Sequence, residues 1–237
     1  MSLIDFHTHI LPGIDDGSAN VAQSVEMLRM LSRQGIGHVV ATPHFYPQQD
    51  SPERFLKRRE RSYQRLCDKT STQEGLPQII LGAEVYFFRG MSQSDQLERL
   101  TIEGNRCILI EMPRSSWTED MYRELEQIRI QRGIMPILAH VDRYLSPFNA
   151  CSVMRRLEEL PVYVQANAEF FLKWSTTGVA MRLLQNDRIH LLGSDCHDTQ
   201  HRKPNLDAAV QKIHAKLGDG VIRRMERHQK ELLDLQG

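Results

Sequence analysis

Apolar and polar positions alternate along this chain in blocks of two lengths. Short runs rich in aliphatic and β-branched residues occupy residues 3–6, 38–42, 78–82, 107–110, 135–139, 162–165 and 190–193. Runs of about four to eight apolar residues bounded by turn signals fit strands buried on both faces. Longer amphipathic stretches lie between them, several with readable ends. Ser51-Pro52-Glu53 supplies an N-cap, a proline at the first helical position and an early acid. Thr118-Glu119-Asp120 opens a helix that Gly133 follows, and Pro204-Asn205-Leu206-Asp207 opens another that stops near Gly218. Strands alternating with helices predict an α/β fold with a parallel sheet and crossover helices. Seven strands in 237 residues fit a closed barrel of βα units, one domain over residues 1–237, better than two separate domains. No Gly/Ser linker, low-complexity tract or internal repeat interrupts the pattern. An open doubly wound sheet would want a glycine-rich first turn, but that turn reads His-Thr-His-Ile-Leu-Pro-Gly, without G-x-G-x-x-G.

Composition narrows the function classes. With 30 Lys+Arg against 30 Asp+Glu, 41% hydrophobic and 25% charged residues, the chain is neutral and ordinary for a globular protein. That excludes a disordered chain and argues against duplex DNA or an anionic membrane as an electrostatic partner. No apolar run approaches the ~20 residues that span a bilayer. The opening MSLIDFHTHI lacks the order of a signal peptide, so the expected location is cytoplasmic. Cys67, Cys107, Cys151 and Cys196 are widely spaced and form no C-x-x-C pair, which leaves no sign of a disulfide framework or zinc ribbon.

The active site of a βα barrel forms where its strands end. Directly after the first run come His7 and His9, then Asp15 and Asp16; His44 follows the second, Glu84 the third and Glu111 the fourth. His140 ends the fifth run, and Asp195 and His197 follow the last. Packed together, these carboxylates and imidazoles need cations to compensate them. Mixed His and carboxylate ligands suit Zn, Mn or Fe better than Mg or Ca alone. The nine side chains His7, His9, Asp16, His44, Glu84, Glu111, His140, Asp195 and His197 are too many for one ion and enough for two or three if one carboxylate bridges. Asp15 reads as a cap or as a partner that orients a ligand histidine. His38, His190, His214 and His228 lie within or before elements and read as ordinary core or rim histidines.

The motifs DFHTHILPGIDDG, ATPHF, LGAEV, LIEMP, LAHVDRY and GSDCH, in that order, resemble the metal-binding motifs of the PHP superfamily. Within it they look most like the metal-dependent protein-tyrosine phosphatases of bacterial capsule and exopolysaccharide gene clusters. The resemblance implies a distorted TIM-like (β/α)7 barrel of the PHP type that carries three metal ions, manganese first among Mn, Fe, Co and Zn. It implies that His7, His9, Glu84 and Asp195 hold one ion, that Glu84 bridges to a second held with Glu111 and His140, and that Asp16, His44 and His197 hold the third. Arg143 and Arg202 match arginines near the phosphate site. The implied substrate is phosphotyrosine on a protein, the tyrosine-rich tail of a membrane-associated polysaccharide-assembly kinase, attacked by a metal-bound hydroxide.

The residues themselves fit such chemistry. A metal cluster neutralises a phosphate dianion and lowers the pKa of bound water from about 15.7 toward about 7. Planar guanidinium forks suit phosphate oxygens. A phenolate leaving group, whose parent pKa is about 10, needs less protonation than an alkoxide. Competing expectations are a phosphatase acting on a small metabolite such as histidinol phosphate, a phosphodiesterase, and a catalytically silent metal-binding scaffold. Zero net charge and the lack of a stacking platform count against nucleic acid. Cys196 and Arg202 also satisfy C-x5-R, the spacing of thiol-dependent phosphatases, but no glycine in between supplies a phosphate cradle. Residues 53–66 carry six Lys/Arg against two Glu. The ordinary reading is a solvated helix face; the functional one is a docking surface using Arg58, Arg59 and Arg61. The C-terminal RRMERHQKELLDLQ reads as an amphipathic helix that caps the barrel or pairs.

Overall fold

The computed structural model describes residues 3–146 and 149–233 of the chain. In order, its elements are β1 (Leu3–Thr8), α1 (Val21–Arg33), β2 (Ile36–Ala41), β3 (His44–Phe45), α2 (Pro52–Thr70), β4 (Gln78–Leu81) and β5 (Glu84–Tyr86). There follow β6 (Cys107–Glu111), α3 (Glu119–Arg132), β7 (Met135–Leu138), α4 (Ala150–Glu158), β8 (Tyr163–Asn167), α5 (Ala168–Leu172) and α6 (Trp174–Gln185). The chain then forms β9 (Leu191–Gly193), α7 (Leu206–Leu217) and α8 (Asp219–Leu233). The helix signals work as read. Ser51 caps α2 by accepting from the Arg54 N–H, and Gly133 ends α3 at φ 64°, a left-handed turn that favours glycine.

All strand pairs are parallel, in the orders β1-β2-β4 and β3-β5-β6-β7-β8-β9. The second and third predicted runs are each followed by a short extra segment, β3 and β5. Pro43 explains the first break: it has no N–H to continue a ladder, and its carbonyl accepts from the Glu84 N–H at 3.0 Å instead. At the second break Gly82 lets two strands close up, since a Cβ there would lie 3.1 Å from Val40 Cγ1. The first and last strands are tied together by Asp195 N–H to His7 O (2.8 Å) and His9 N–H to Cys196 O (3.0 Å). The result is an α/β fold around a curled parallel sheet.

Apolar side chains form two clusters. The larger lies between strands and helices and includes Val39, Ile108, Leu138 and Leu192 with Leu28, Leu125 and Ile213. The smaller draws Ile4 and Phe6, Val40, Ile80, Leu109, Ile137 and Leu191 from different strands, and Leu232 and Leu233 of α8 close it. The C-terminal helix therefore caps the sheet, as one of its two sequence readings expects; residues 234–236 of that helix lie outside the described residues. No helix among the described residues is long and apolar enough to cross a membrane.

Candidate metal centre

The strand ends bring all nine predicted ligands into one continuous cluster. Ligand atoms lie within 4.8 Å of one another in four overlapping groups: His9, Asp16, His44 and His197; His7, His9 and Asp195; His7, Glu84 and His140; His44, Glu84 and Glu111. Glu84 is the hub. Its Oε2 lies 3.0 Å from His44 Nδ1, 3.1 Å from His7 Nε2 and 3.3 Å from His9 Nε2, while its Oε1 lies 2.7 Å from His140 Nε2. Asp16, 66% exposed, closes the outer end, with Oδ1 3.5 Å from both His44 Nε2 and His197 Nε2. The three-way division implied by the family resemblance is therefore blurred, since His7, His9 and His44 each fall in two groups.

The cluster is buried, and its electrostatics are those of a cation site. Burial would raise the Glu84 carboxyl, but His7, His140 and His44 outweigh it and hold it well below the usual carboxylate range. Burial likewise opposes a charge on His9, yet the hydrogen bond and charge of Asp15, with Glu84, push it up to about 10. Glu111 is raised, by burial and by the Glu84 charge beside it. His197 goes down to about 4 through burial and the neighbouring His9. Glu84 Oε2, His44 Nδ1 and His197 Nε2 are buried without a hydrogen-bond partner among the described residues. Lone pairs of N and O donors converging without hydrogen-bond geometry fit divalent ions, which supply the charge compensation directly.

Both predicted arginines reach the cluster. Arg143, at the end of a helical turn that starts from His140, bonds Asp195 Oδ2 and approaches Glu111 Oε1 at 3.9 Å. Arg202 Nη2 donates to Asp195 Oδ1 at 2.8 Å and is 40% exposed. Backbone strain gathers here too: His140 and Asp195 sit at φ 30° and 53°, a region uncommon for residues with a side chain.

Supporting residues surround the ligands, some inside the quoted motifs and others, such as Gln165 and Asn167, outside them. Asp15, named in the sequence only as a cap or partner, accepts from His9 Nδ1 (2.8 Å), the His44 N–H (3.0 Å) and the Gly17 N–H (3.0 Å). Gln165 Oε1 receives the His140 N–H at 2.6 Å and lies 3.3 Å from His7 Nδ1. Asn167 Nδ2 donates to Asp195 Oδ2 at 2.9 Å. β8, the one predicted run without an ionisable residue at its end, thus contributes amides. Asp5, buried and raised to about 6 by that burial, accepts the His7 and Ser194 N–H groups. Gly193 and Gly17 hold the backbone against ligands, since a Cβ at Gly193 would fall 2.5 Å from His7 Cβ and one at Gly17 2.4 Å from His9 Cβ. Tyr46 stacks on His44 at 5.1 Å between ring centroids and meets Tyr86 at 5.7 Å, an aromatic wall beside the cluster.

With the site described, comparison with known proteins places the chain. Residues 3–233 match the family model for capsular polysaccharide synthesis, CpsB/CapC. The chain belongs to the CpsB/CapC family. It is similar to the tyrosine-protein phosphatase CpsB of Streptococcus pneumoniae, 28% identical over 231 residues and covering 91% of each chain. It is also similar to the tyrosine-protein phosphatase YwqE of Bacillus subtilis strain 168, 27% identical over 227 residues, covering 91% of this chain and 85% of YwqE. The fold matches a solved structure with TM-score 0.84 at 24% identity, covering 99% of this chain and 96% of that one. That structure is described as one of YwqE from Bacillus subtilis and CpsB from Streptococcus pneumoniae, unique metal-dependent tyrosine phosphatases.

In this CpsB/CapC chain the C-x5-R pattern does not form a thiolate site. Cys196 is fully buried, and burial together with the charge of Asp5 pushes its thiol well above the ordinary value. A Cys196→Ala variant is expected to keep its metals and its turnover of p-nitrophenyl phosphate; loss of turnover with metals retained would restore the thiol reading.

The basic segment divides between two faces of α2. Arg58 and Arg61 share a face of α2 toward Gly13 and Ile14, but Arg59 turns away, donates to Gly82 O at 2.7 Å and stacks over Phe55. Arg61 lies between the two, bordering one cavity with Arg58 and a second with Arg59, Lys57 and Arg99.

Two of the histidines read as ordinary, His190 and His228, form with Asp187 a further group of possible ligands, at the N-terminal ends of β8 and β9. Asp187 Oδ1 already takes Arg224 Nε (2.9 Å) and His228 Nε2 (3.0 Å), and His190 Nδ1 accepts the Val164 N–H (2.9 Å). These contacts bind α8 to the sheet, which is a structural role.

Proposed function

We propose that this chain is a metal-dependent phosphomonoesterase that hydrolyses phosphotyrosine on proteins. The observation that carries the reading is the convergence of nine His, Asp and Glu ligands on the Glu84 hub, with Arg143 and Arg202 meeting at Asp195 on its rim. Relatives named tyrosine-protein phosphatases over nearly the whole chain support it.

In this reading His7, His9, Glu84 and Asp195 would hold one ion, Glu84, Glu111 and His140 a second, and Asp16, His44 and His197 a third, with manganese the first candidate. When bound, such ions neutralise phosphate oxygens and acidify a water. The rest falls to the chain's own residues. Arg143 and Arg202 present donor forks to the phosphate, Asp15 fixes the His9 ring, and Gln165 fixes His7 and His140. Tyr46 and Tyr86 offer an aromatic wall to the phenyl ring of the substrate. As the P–O bond to the ring breaks, the phenolate leaves with less need of a proton donor than an alkoxide has.

Further readings go with this one. The nine β-segments of the described residues are seven strand positions of a distorted (β/α)7 barrel, with β2 and β3 forming one position and β4 and β5 another. Residues 1–237 form one PHP-type domain. The chain works in the cytoplasm on the tyrosine-rich tail of a membrane-associated polysaccharide-assembly kinase.

The test is turnover of a phosphotyrosine peptide, p-nitrophenyl phosphate and histidinol phosphate after EDTA treatment and again after Mn²⁺ is restored. Chelation is expected to abolish turnover, and Mn²⁺ to restore it with preference for the peptide. Preference for histidinol phosphate would move the function to a metabolite phosphatase. Silence with every metal would favour a scaffold.

A further inference from the structure

A cavity lined by three arginines of α2 adjoins the metal centre without belonging to it. Arg58, Arg61 and Arg65 follow helical spacing along one face of α2, and with Ser62, Gly13 and Ile14 they bound a cavity of about 370 Å³. The helix is pinned to this loop. Ser62 Oγ and Arg65 Nη2 both donate to Pro12 O, at 2.8 and 2.6 Å, and Arg58 Nη1 donates to Ile14 O at 3.0 Å. Gly13 sits at φ +64°, a left-handed conformation that favours glycine, which turns the chain at the edge of the cavity.

The positive charges of this cavity are unequally compensated. Arg58 is committed to Asp50, which accepts from its Nε and Nη2 at 3.1 and 2.7 Å. Arg61 is exposed and makes only a 3.3 Å bond to Lys57 O in its own helix, and Arg65 spends one nitrogen on Pro12 O. Neither Arg61 nor Arg65 forms an ion pair with a carboxylate among the described residues. In a chain whose charges sum to zero, this is a local cationic excess that presents free guanidinium donors to a concave surface.

Its position relative to the chemistry is set by the chain itself. Gly13 and Ile14 run directly into Asp15, which holds His9 and the His44 N–H, and into Asp16, which faces His44 and His197. Consecutive Cα atoms are about 3.8 Å apart, so Ile14 lies at most about 7.6 Å from Asp16. An extended peptide advances about 3.3 Å per residue, so about two residues span the Ile14–Asp16 separation and four extend about 13 Å along the surface.

We infer that the Arg61–Arg65 cavity is an anion subsite for the substrate polypeptide, taking an aspartate or glutamate side chain close in sequence to the phosphotyrosine. The inference rests on the phosphatase reading above and adds a specificity to it. Guanidinium forks match carboxylates bidentately. The contact acts on substrate binding and not on the leaving group, so it appears in KM.

The test uses the Mn²⁺-loaded enzyme and three substrates: p-nitrophenyl phosphate, a phosphotyrosine peptide flanked by Asp and Glu, and the same peptide with Asn and Gln. The acidic peptide is expected to show a KM about fivefold to tenfold lower, the effect of one or two partly exposed ion pairs. That advantage should shrink in 0.5 M salt, where the Debye length is only about 4 Å. In an Arg61→Gln/Arg65→Gln double variant the ratio of the two KM values should fall to near unity, and Arg61→Glu should turn the preference toward the neutral peptide. Equal KM values in the unaltered enzyme, or a ratio that survives both variants, would overturn the subsite. So would a fall in the double variant's turnover of p-nitrophenyl phosphate as large as its loss of peptide affinity, since that assigns the arginines to supporting the Pro12–Ile14 loop. An unaltered enzyme that turns over neither peptide nor p-nitrophenyl phosphate defeats the phosphatase reading itself, an outcome distinct from intact turnover without flank preference.

Discussion

Replacing Glu84 with glutamine is expected to lower kcat/KM toward a phosphotyrosine peptide by at least about 10³-fold, the upper range for removing one preorganised electrostatic group. Glutamine keeps the volume and loses the charge. The two oxygens of Glu84 face His7, His9, His44 and His140 at 2.7 to 3.3 Å, so one substitution alters the surroundings of four imidazoles. An amide nitrogen in place of one oxygen turns an acceptor toward the rings into a donor. The bound-metal content, measured by mass spectrometry of the purified protein, should fall together with activity, while the far-ultraviolet circular dichroism keeps its α/β shape. Full metal content with near-normal turnover would remove Glu84 from the centre of the mechanism.

Arg143→Ala is the second large effect. Its guanidinium is 23% exposed and held between Asp195 and Glu111, the place at which the proposed function has it meet a phosphate. Loss of one charged donor aimed at the developing phosphoryl charge costs about 10²-fold to 10³-fold in kcat. Lysine at this position should recover only part of that loss, because an ammonium lacks the planar fork. Arg202, more exposed at 40%, should cost less on truncation, about tenfold. Steady-state kinetics on p-nitrophenyl phosphate separate these outcomes, since that substrate has no peptide flanks. Unchanged kcat in Arg143→Ala would reduce this arginine to an ion-pair partner of Asp195.

The two variants probe different layers of one arrangement. Glu84 acts where burial makes every charge expensive unless it is matched. Arg143 acts at the rim, where substrate and solvent meet. Asp15, Gln165 and Asn167 stand behind both: they hold ring orientations and carboxylate directions that a ligand set alone leaves free.

Residue type and local order already determined a good deal of this protein. Apolar runs of strand length, six of the seven followed by His, Asp or Glu, mark both the parallel sheet and the end of it where those side chains gather. That works because a strand buried on both faces must be apolar until it leaves the sheet. Helix caps at Ser51 and Gly133 were legible for a similar reason, since their backbone geometry favours few residue types. Other features depend on distances that only the folded chain sets. The breaks at Pro43 and Gly82 follow from a ladder that lacks a donor and from a strand passing close to Val40. Gln165 and Asn167 carry no motif, because an amide at the end of an apolar run gains its role from whichever ligand closure brings beside it. Arg58 and Arg59 are adjacent in sequence and read as one basic patch, yet the helix turns them to opposite neighbours, Ile14 and Gly82. About 100° of rotation per residue separates them on α2, so what the third dimension decided was which of these like charges meets the loop that runs into Asp15 and Asp16.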